Sequence, residues 1–214
     1  MDRRRSLTLV AGIVLGAACR TVPASPAAPI VQPGAPGKPS QIIDARQAAD
    51  LSQLKYTPAE IQFVQRMIGH HMQALEMTDL LASRTSRHDM QLLAKRIQIS
   101  QADEIDMMRE WLKSRGAALP DPHAHHAPDA ALMPGMLTAA EMQRLSSATG
   151  EEFERLFLEF MIRHHDGALV MVEELFGAAG AGQQSDIYSF ASDVEADQRM
   201  EIERMSAMLR ERQR

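Results

Sequence analysis

Cysteine occurs once in the 214 residues, at Cys19, so the chain cannot form an internal disulfide. Aromatic residues make up only 4% of it, which leaves a core to aliphatic side chains and methionine. Neither charge dominates. The 23 Lys and Arg stand against 28 Asp and Glu, the net charge is −5, and the basic residues are scattered among acidic ones. A nucleic-acid surface is therefore not indicated. No apolar run is long enough to span a bilayer. Glycine-rich phosphate loops, a Cys-x-x-Cys-His haem signal and a Ser or Cys nucleophile context are all missing. No segment alternates as a half-buried strand would.

The one short apolar run sits at the start. Arg3-Arg4-Arg5 precedes Leu7 to Ala18, and Cys19 follows Gly16-Ala17-Ala18. A basic stretch, a short apolar stretch and small residues form an export signal. The expected arrangement is a signal peptide over 1–19 of lipoprotein type, with Cys19 lipidated. Plain secretion with cleavage nearby and an uncleaved anchor are the alternatives. Each places the domain in the periplasm or cell envelope, with the membrane met only through the N-terminus. Residues 20–55 read as a Pro/Ala-rich tether and lead-in, and 56–212 as the domain.

What is abundant is methionine, with 15 residues, and what organises the chain is a repeat. Met67-Ile68-Gly69-His70-His71 through Met77 recurs as Met161-Ile162-Arg163-His164-His165 through Met171, offset by 94 residues. Gln101-x-x-Glu104-Ile105-x-x-Met108 recurs as Gln198-x-x-Glu201-Ile202-x-x-Met205, offset by 97. Internal repetition of this kind sets an architecture before any single residue is interpreted.

Punctuation places the helices. Thr57-Pro58-Ala59-Glu60 and Thr138-Ala139-Ala140-Glu141 are capping boxes. The first helix is expected to run from Thr57 to about Ser83. A second, capped by Ser86, runs to about Ser114 and stops at Gly116. Residues 117–136 hold four prolines and form an irregular connection. A short helix then starts at Thr138, Gly150 interrupts, and helices over about 151–176 and 185–212 follow. The fold class expected is all-α: a four-helix bundle of two αα-hairpin repeats. The long central connection suits the crossover of a ferritin-like bundle, with up-down-up-down order as the alternative.

At about 100° per residue, Phe63, Met67, His70, His71 and Ala74 share one apolar face, as do Phe157, Met161, His164, His165 and Ala168. Ile97, Gln101, Glu104, Met108 and Trp111 form a stripe on the next helix, and Glu201 and Met205 repeat it. Burying imidazoles and carboxylates costs several kcal/mol unless they are paired or bind a metal. The layer is thus either a metal site or a His–Glu network that sets bundle register. Thioether with imidazole suits copper(I), and by extension silver(I). Zinc is a further candidate, although its sites seldom use thioether. Met67 and Met161 stand where di-iron bundles carry the Glu of Glu-x-x-His, which argues against oxygen-activating iron. A secondary metal candidate is His123, His125 and His126, flanked by Asp121 and Asp129.

The motifs Phe160-Met161-Ile162-x-His164-His165-x-Gly167-Ala168 and Gln198-x-x-Glu201-Ile202-x-x-Met205 resemble the domain-of-unknown-function 305 family over about residues 56–212. The resemblance implies an exported ferritin-like bundle, in some members a copper- or silver-binding protein of metal tolerance. Carried onto this chain, the ligands would come from Met67, His70, His71, Met77, Met107, Met108, Met161, His164, His165, Met171 and Met205. Met72 and Gln73 depart from the second repeat's Asp166 and Gly167, so the halves are expected to differ. The function expected is a non-enzymatic metal-binding protein for sequestration or delivery, with a copper transporter or acceptor as partner. A scaffold with a structural polar core and a metal-dependent oxidoreductase are the alternatives.

Overall fold

The computed structural model describes residues 28–32, 40–49, 56–121 and 132–212. The elements are β1 Ile30–Gln32, β2 Gln41–Ile43, α1 Ala45–Ala49, α2 Pro58–Asp79, α3 Leu81–Arg84, α4 His88–Ser114, α5 Ala139–Ser147, α6 Gly150–Gly177 and α7 Ser185–Arg212. Cys19, His123, His125, His126, all of the expected signal over 1–19 and part of the expected tether lie outside the described residues. Among those described, no helix is long and apolar enough to cross a membrane.

Four long helices make an all-α bundle, as the punctuation predicts. Thr57 and Thr138 each close a full capping box, with Glu60 and Glu141. Gly116 takes a φ of +64° after α4, and the Gly116 and Ala117 amides close on the Lys113 and Leu112 carbonyls.

Three local expectations are corrected. A small antiparallel hairpin pairs β1 with β2, Val31 opposite Ile42, inside the stretch read as tether. Its three-residue strands are too short for alternation to register, but Ile30-Val31 and Ile42-Ile43 supply the β-branched residues. The first helix does not run unbroken to Ser83; it ends at Asp79, and α3 restarts at Leu81. Ser86 is not the cap of α4. Arg87 holds the cap position without a side-chain cap bond, and Thr85 Oγ1 accepts from the Arg87 amide while donating to buried Glu154.

Helix directions follow from end-to-end contacts. Glu60 at the start of α2 accepts from the Gly182 amide just past α6, and Arg66 pairs with Glu174 at 3.3 Å. The far end of α2 (Ala74, Met77) shares a core with the start of α6 (Phe153, Phe157). Helices α2 and α6 are therefore antiparallel. Asp186, at the start of α7, accepts from Trp111 and Arg115 at the end of α4. The order is up-down-down-up, so the connection after α4 runs the length of the bundle. This is the ferritin-like crossover, and it settles the topology against up-down-up-down.

The core has three levels. One apolar cluster holds Met77, Ile97, Phe157, Met161 and Met205. Another holds Phe63, Met67, Met108, Met171 and Val194. Between them, on all four helices, lie the buried polar residues His70, His71, Gln101, Glu104, His164, His165, Gln198 and Glu201.

The crossover connection presses on this middle level. Gln73 grips Leu137 twice: its Oε1 accepts from the Leu137 amide at 2.7 Å, and its Nε2 donates to the Leu137 carbonyl at 3.0 Å. At the equivalent place in the second repeat, Gly167 makes room. A Cβ there would stand 2.6 Å from the Gly135 nitrogen and closer still to the Pro134 carbonyl. Gly→Ala inside a helix ordinarily gains about 1 kcal/mol. Here backbone blocks the methyl, so Gly167→Ala is expected to destabilise by about 1–3 kcal/mol, read as a fall in the denaturation midpoint; a gain in stability would contradict the close approach.

Candidate metal centre

Adjacent helical residues point about 100° apart, so each His-His pair serves two directions. His71, on α2, reaches α4 of its own hairpin, and its Nε2–H donates to Glu104 Oε2 at 2.5 Å. His165, on α6, does the same to Glu201 Oε2 on α7 at 2.6 Å. His70 and His164 face each other across the two hairpins with ring centroids 3.8 Å apart. The layer thus ties all four helices together and carries the duplication into three dimensions.

The hydrogen bonds define tautomers. With Nε2 of His71 and His165 donating to carboxylates, Nδ1 is the nitrogen that carries the lone pair of a neutral ring. His70 donates from Nε2 to the Pro134 carbonyl at 3.0 Å, which leaves its Nδ1 in the same state. None of these Nδ1 atoms has a hydrogen-bond partner. Neither ring nitrogen of His164 has one, nor do Gln101 Oε1 and Gln198 Oε1. Each such buried atom costs about 1–3 kcal/mol, and among the described residues most of the buried unpartnered side-chain atoms fall in this one layer.

Electrostatics keep the central rings neutral. Burial, then the neighbouring His71, lowers the His70 pKa from 6.5 to about 3, with the Pro134 carbonyl opposing. Burial followed by His70 and His165 holds His164 well below its ordinary value. A neutral imidazole retains the lone pair a metal requires.

Every methionine named as a candidate site residue is buried: Met67, Met77, Met108, Met161, Met171 and Met205. They do not stand equally near the histidines. Met67 and Met161 lie one helical turn before their His pairs. Met77 and Met171 lie seven residues from His70 and His164, about 10 Å along the axis at 1.5 Å per residue. Met108 and Met205 lie one turn beyond Glu104 and Glu201. Met107, in the pool implied by the resemblance, is 55% exposed. Glu104 and Glu201 are engaged with the histidines, the arrangement in which a carboxylate orients an imidazole rather than binding the ion itself. Among the described residues no three His, Cys, Asp or Glu side chains stand together at metal-holding distance. An ion here would draw on thioethers and on Nδ1 atoms from both repeats.

Sequence reasoning missed four contributors. Gln101 and Gln198 were visible in the repeat, but carboxamides are not signature ligands. Gln73 and the Pro134 carbonyl act through an irregular segment that has no periodicity to read.

Fold and site together define a ferritin-like bundle made of a duplicated hairpin around a buried His–Glu layer. The chain belongs to the DUF305 family, "Domain of unknown function (DUF305)", whose profile matches residues 60–209. Similar solved structures include a DUF305 fragment from Deinococcus radiodurans, 35% identical, covering 72% of this chain and 97% of that one, with a TM-score of 0.62. A DUF305 protein of Streptomyces coelicolor described as secreted is 29% identical over 72% of this chain and 93% of its own, with a TM-score of 0.63. CopM in its Cu(I)-bound form shares the fold at 22% identity and a TM-score of 0.55, covering 73% of this chain and 98% of CopM. No curated protein matches the chain.

The neutral histidines set a pH dependence for the metal-free protein. The unfolded chain takes up protons below pH 6.5 that folded His70 refuses until about pH 3. Stability is therefore fully present above 6.5 and is lost as pH falls toward 3, by up to about 1.4 kcal/mol per pH unit for each such histidine. Glu141, held down to about 2 by its Arg163 hydrogen bond, adds to the loss only below its ordinary 4.5. Urea titrations between pH 6.5 and 5 should show the histidine slope, reduced in His70→Asn; a flat profile would contradict the neutral assignment.

Proposed function

We propose that this is an exported protein that binds copper(I), or silver(I), in the buried His–Met layer, for sequestration or delivery in the cell envelope. The observation that carries the reading is the set of unpartnered lone-pair atoms, His70, His71 and His165 Nδ1 and both nitrogens of His164, between Met67 and Met161. A soft monovalent ion gains from thioether and imidazole together. Cu(I)-bound CopM has the same fold, which supports the choice of ion. Export and lipid attachment at Cys19 belong to the same proposal, supported by Arg3–Arg5 and the apolar run after them, and by the secreted Streptomyces relative. The expected acceptor is a copper transporter or carrier.

A second reading has its own support. His71 and His165 already have carboxylate partners, so the layer could act only to fix how the helices register. The two readings separate by anaerobic loading with Cu(I) followed by desalting against a chelator. The wild type is expected to retain copper, and a His70, His71, His164 and His165 to Ala variant to retain none, with circular dichroism checking that the variant is folded. Met67→Leu with Met161→Leu, which conserves volume, should weaken Cu(I) retention without unfolding. Glu104→Gln with Glu201→Gln should cost about 10–100-fold in affinity, the usual price of losing a partner that orients a ligand. No copper on the wild type would leave the register role as the account.

A further inference from the structure

Helices α4 and α7, joined at one end by Asp186 with Trp111 and Arg115, flank a groove of about 340 Å³. We infer that this groove is the path by which a metal cation reaches the histidine layer, an inference that rests on the copper-binding reading above. Its walls carry Asp103 and Met107 from α4 and Asp193 and Asp197 from α7, and no Lys or Arg is among its described lining residues. Its floor includes Glu104, 6% exposed, the carboxylate that accepts from His71. One side chain therefore faces solvent on one side and the buried imidazoles on the other.

Two further features set the groove apart from an ordinary acidic surface. Gln101 and Gln198 flank it in sequence, next to Ser100 and Asp197 of its lining, and are 1% and 2% exposed with carboxamide oxygens that have no partner. They lie outside its lining and belong to the buried polar layer to which Glu104 leads. Met107 also places a thioether in water at the groove wall, a contact that favours soft ions over the alkali and alkaline-earth cations the carboxylates would otherwise collect. Like charges are crowded here at a cost. Burial, then Glu104 and Glu201, raise the Asp197 pKa, with Arg96 opposing. An arriving cation relieves that repulsion. A cleft of one sign with low-dielectric walls focuses the field and speeds capture by about 10- to 1,000-fold.

The test is stopped-flow uptake of Cu(I), supplied anaerobically as its acetonitrile complex and followed by ultraviolet absorbance. The groove variant is Asp103→Asn, Asp193→Asn and Asp197→Asn, all isosteric at positions that are exposed or half-buried. The control is Glu151→Gln, Glu152→Gln and Glu173→Gln, which removes the same charge from exposed positions on α6. At about 0.01 M ionic strength, where the Debye length is about 30 Å, the groove variant should load about tenfold more slowly than wild type and the control at close to the wild-type rate. The difference should vanish near 1 M salt, where the Debye length is about 3 Å, with the amount of copper retained unchanged. Equal slowing in both variants, or none in the groove variant, overturns the path while leaving the binding site standing. A wild type that takes up no copper overturns the binding reading and the path with it.

Discussion

Two short histidine–carboxylate hydrogen bonds, His71 to Glu104 and His165 to Glu201, organise the centre of this bundle. Each spans one hairpin at mid-height, where an apolar pair would otherwise sit, and each fixes a ring so that its Nδ1 is left without a partner. The stacked His70 and His164 then join the hairpins to one another. The apolar clusters on either side seal the layer from water and carry the hydrophobic stabilisation that offsets it. Removing one partner of such a buried pair is far more damaging than removing both, so histidine and glutamate in each half are constrained together.

The duplication is not symmetric, and the reason is the crossover. A single connection must run the length of the bundle, and it passes over one side of the layer. There Gln73 holds it by both ends of its carboxamide, Gly167 clears space for it, and the Pro134 carbonyl accepts a hydrogen bond from His70 Nε2. Residues 73 and 167 are equivalent by sequence and opposite in task, which explains why the repeat diverges there. His164 approaches the His70 backbone as His70 approaches Pro134, but short of hydrogen-bond geometry, so both its ring nitrogens stay without a partner.

Much of this was legible in the sequence for physical reasons. Capping boxes at Thr57 and Thr138 have local chemistry, and a 3.6-residue period puts His70, His71, His164, His165, Glu104 and Glu201 on buried faces. Periodicity gives a face but not a partner, so the pairing of His71 rather than His70 with Glu104 came only with the fold. The break at Leu80 and the β1–β2 hairpin are too short to leave a pattern, and α4 starts at Arg87 with no side-chain cap where Ser86 was expected to supply one. Met77 and Met171 repeat as faithfully as Met67 and Met161, yet helix rise sets them two turns from the histidines.

The account turns on which ring nitrogen is free, and ¹⁵N NMR of the histidine side chains, with and without anaerobic Cu(I), reads that directly. In the metal-free protein at neutral pH, His70, His71 and His165 should be protonated at Nε2 with bare Nδ1, and Cu(I) should move Nδ1 resonances while the Nε2–H of His71 and His165 persists. Buried histidine spectra that Cu(I) leaves unchanged, or copper that displaces the Nε2 protons bonded to Glu104 and Glu201, would contradict it.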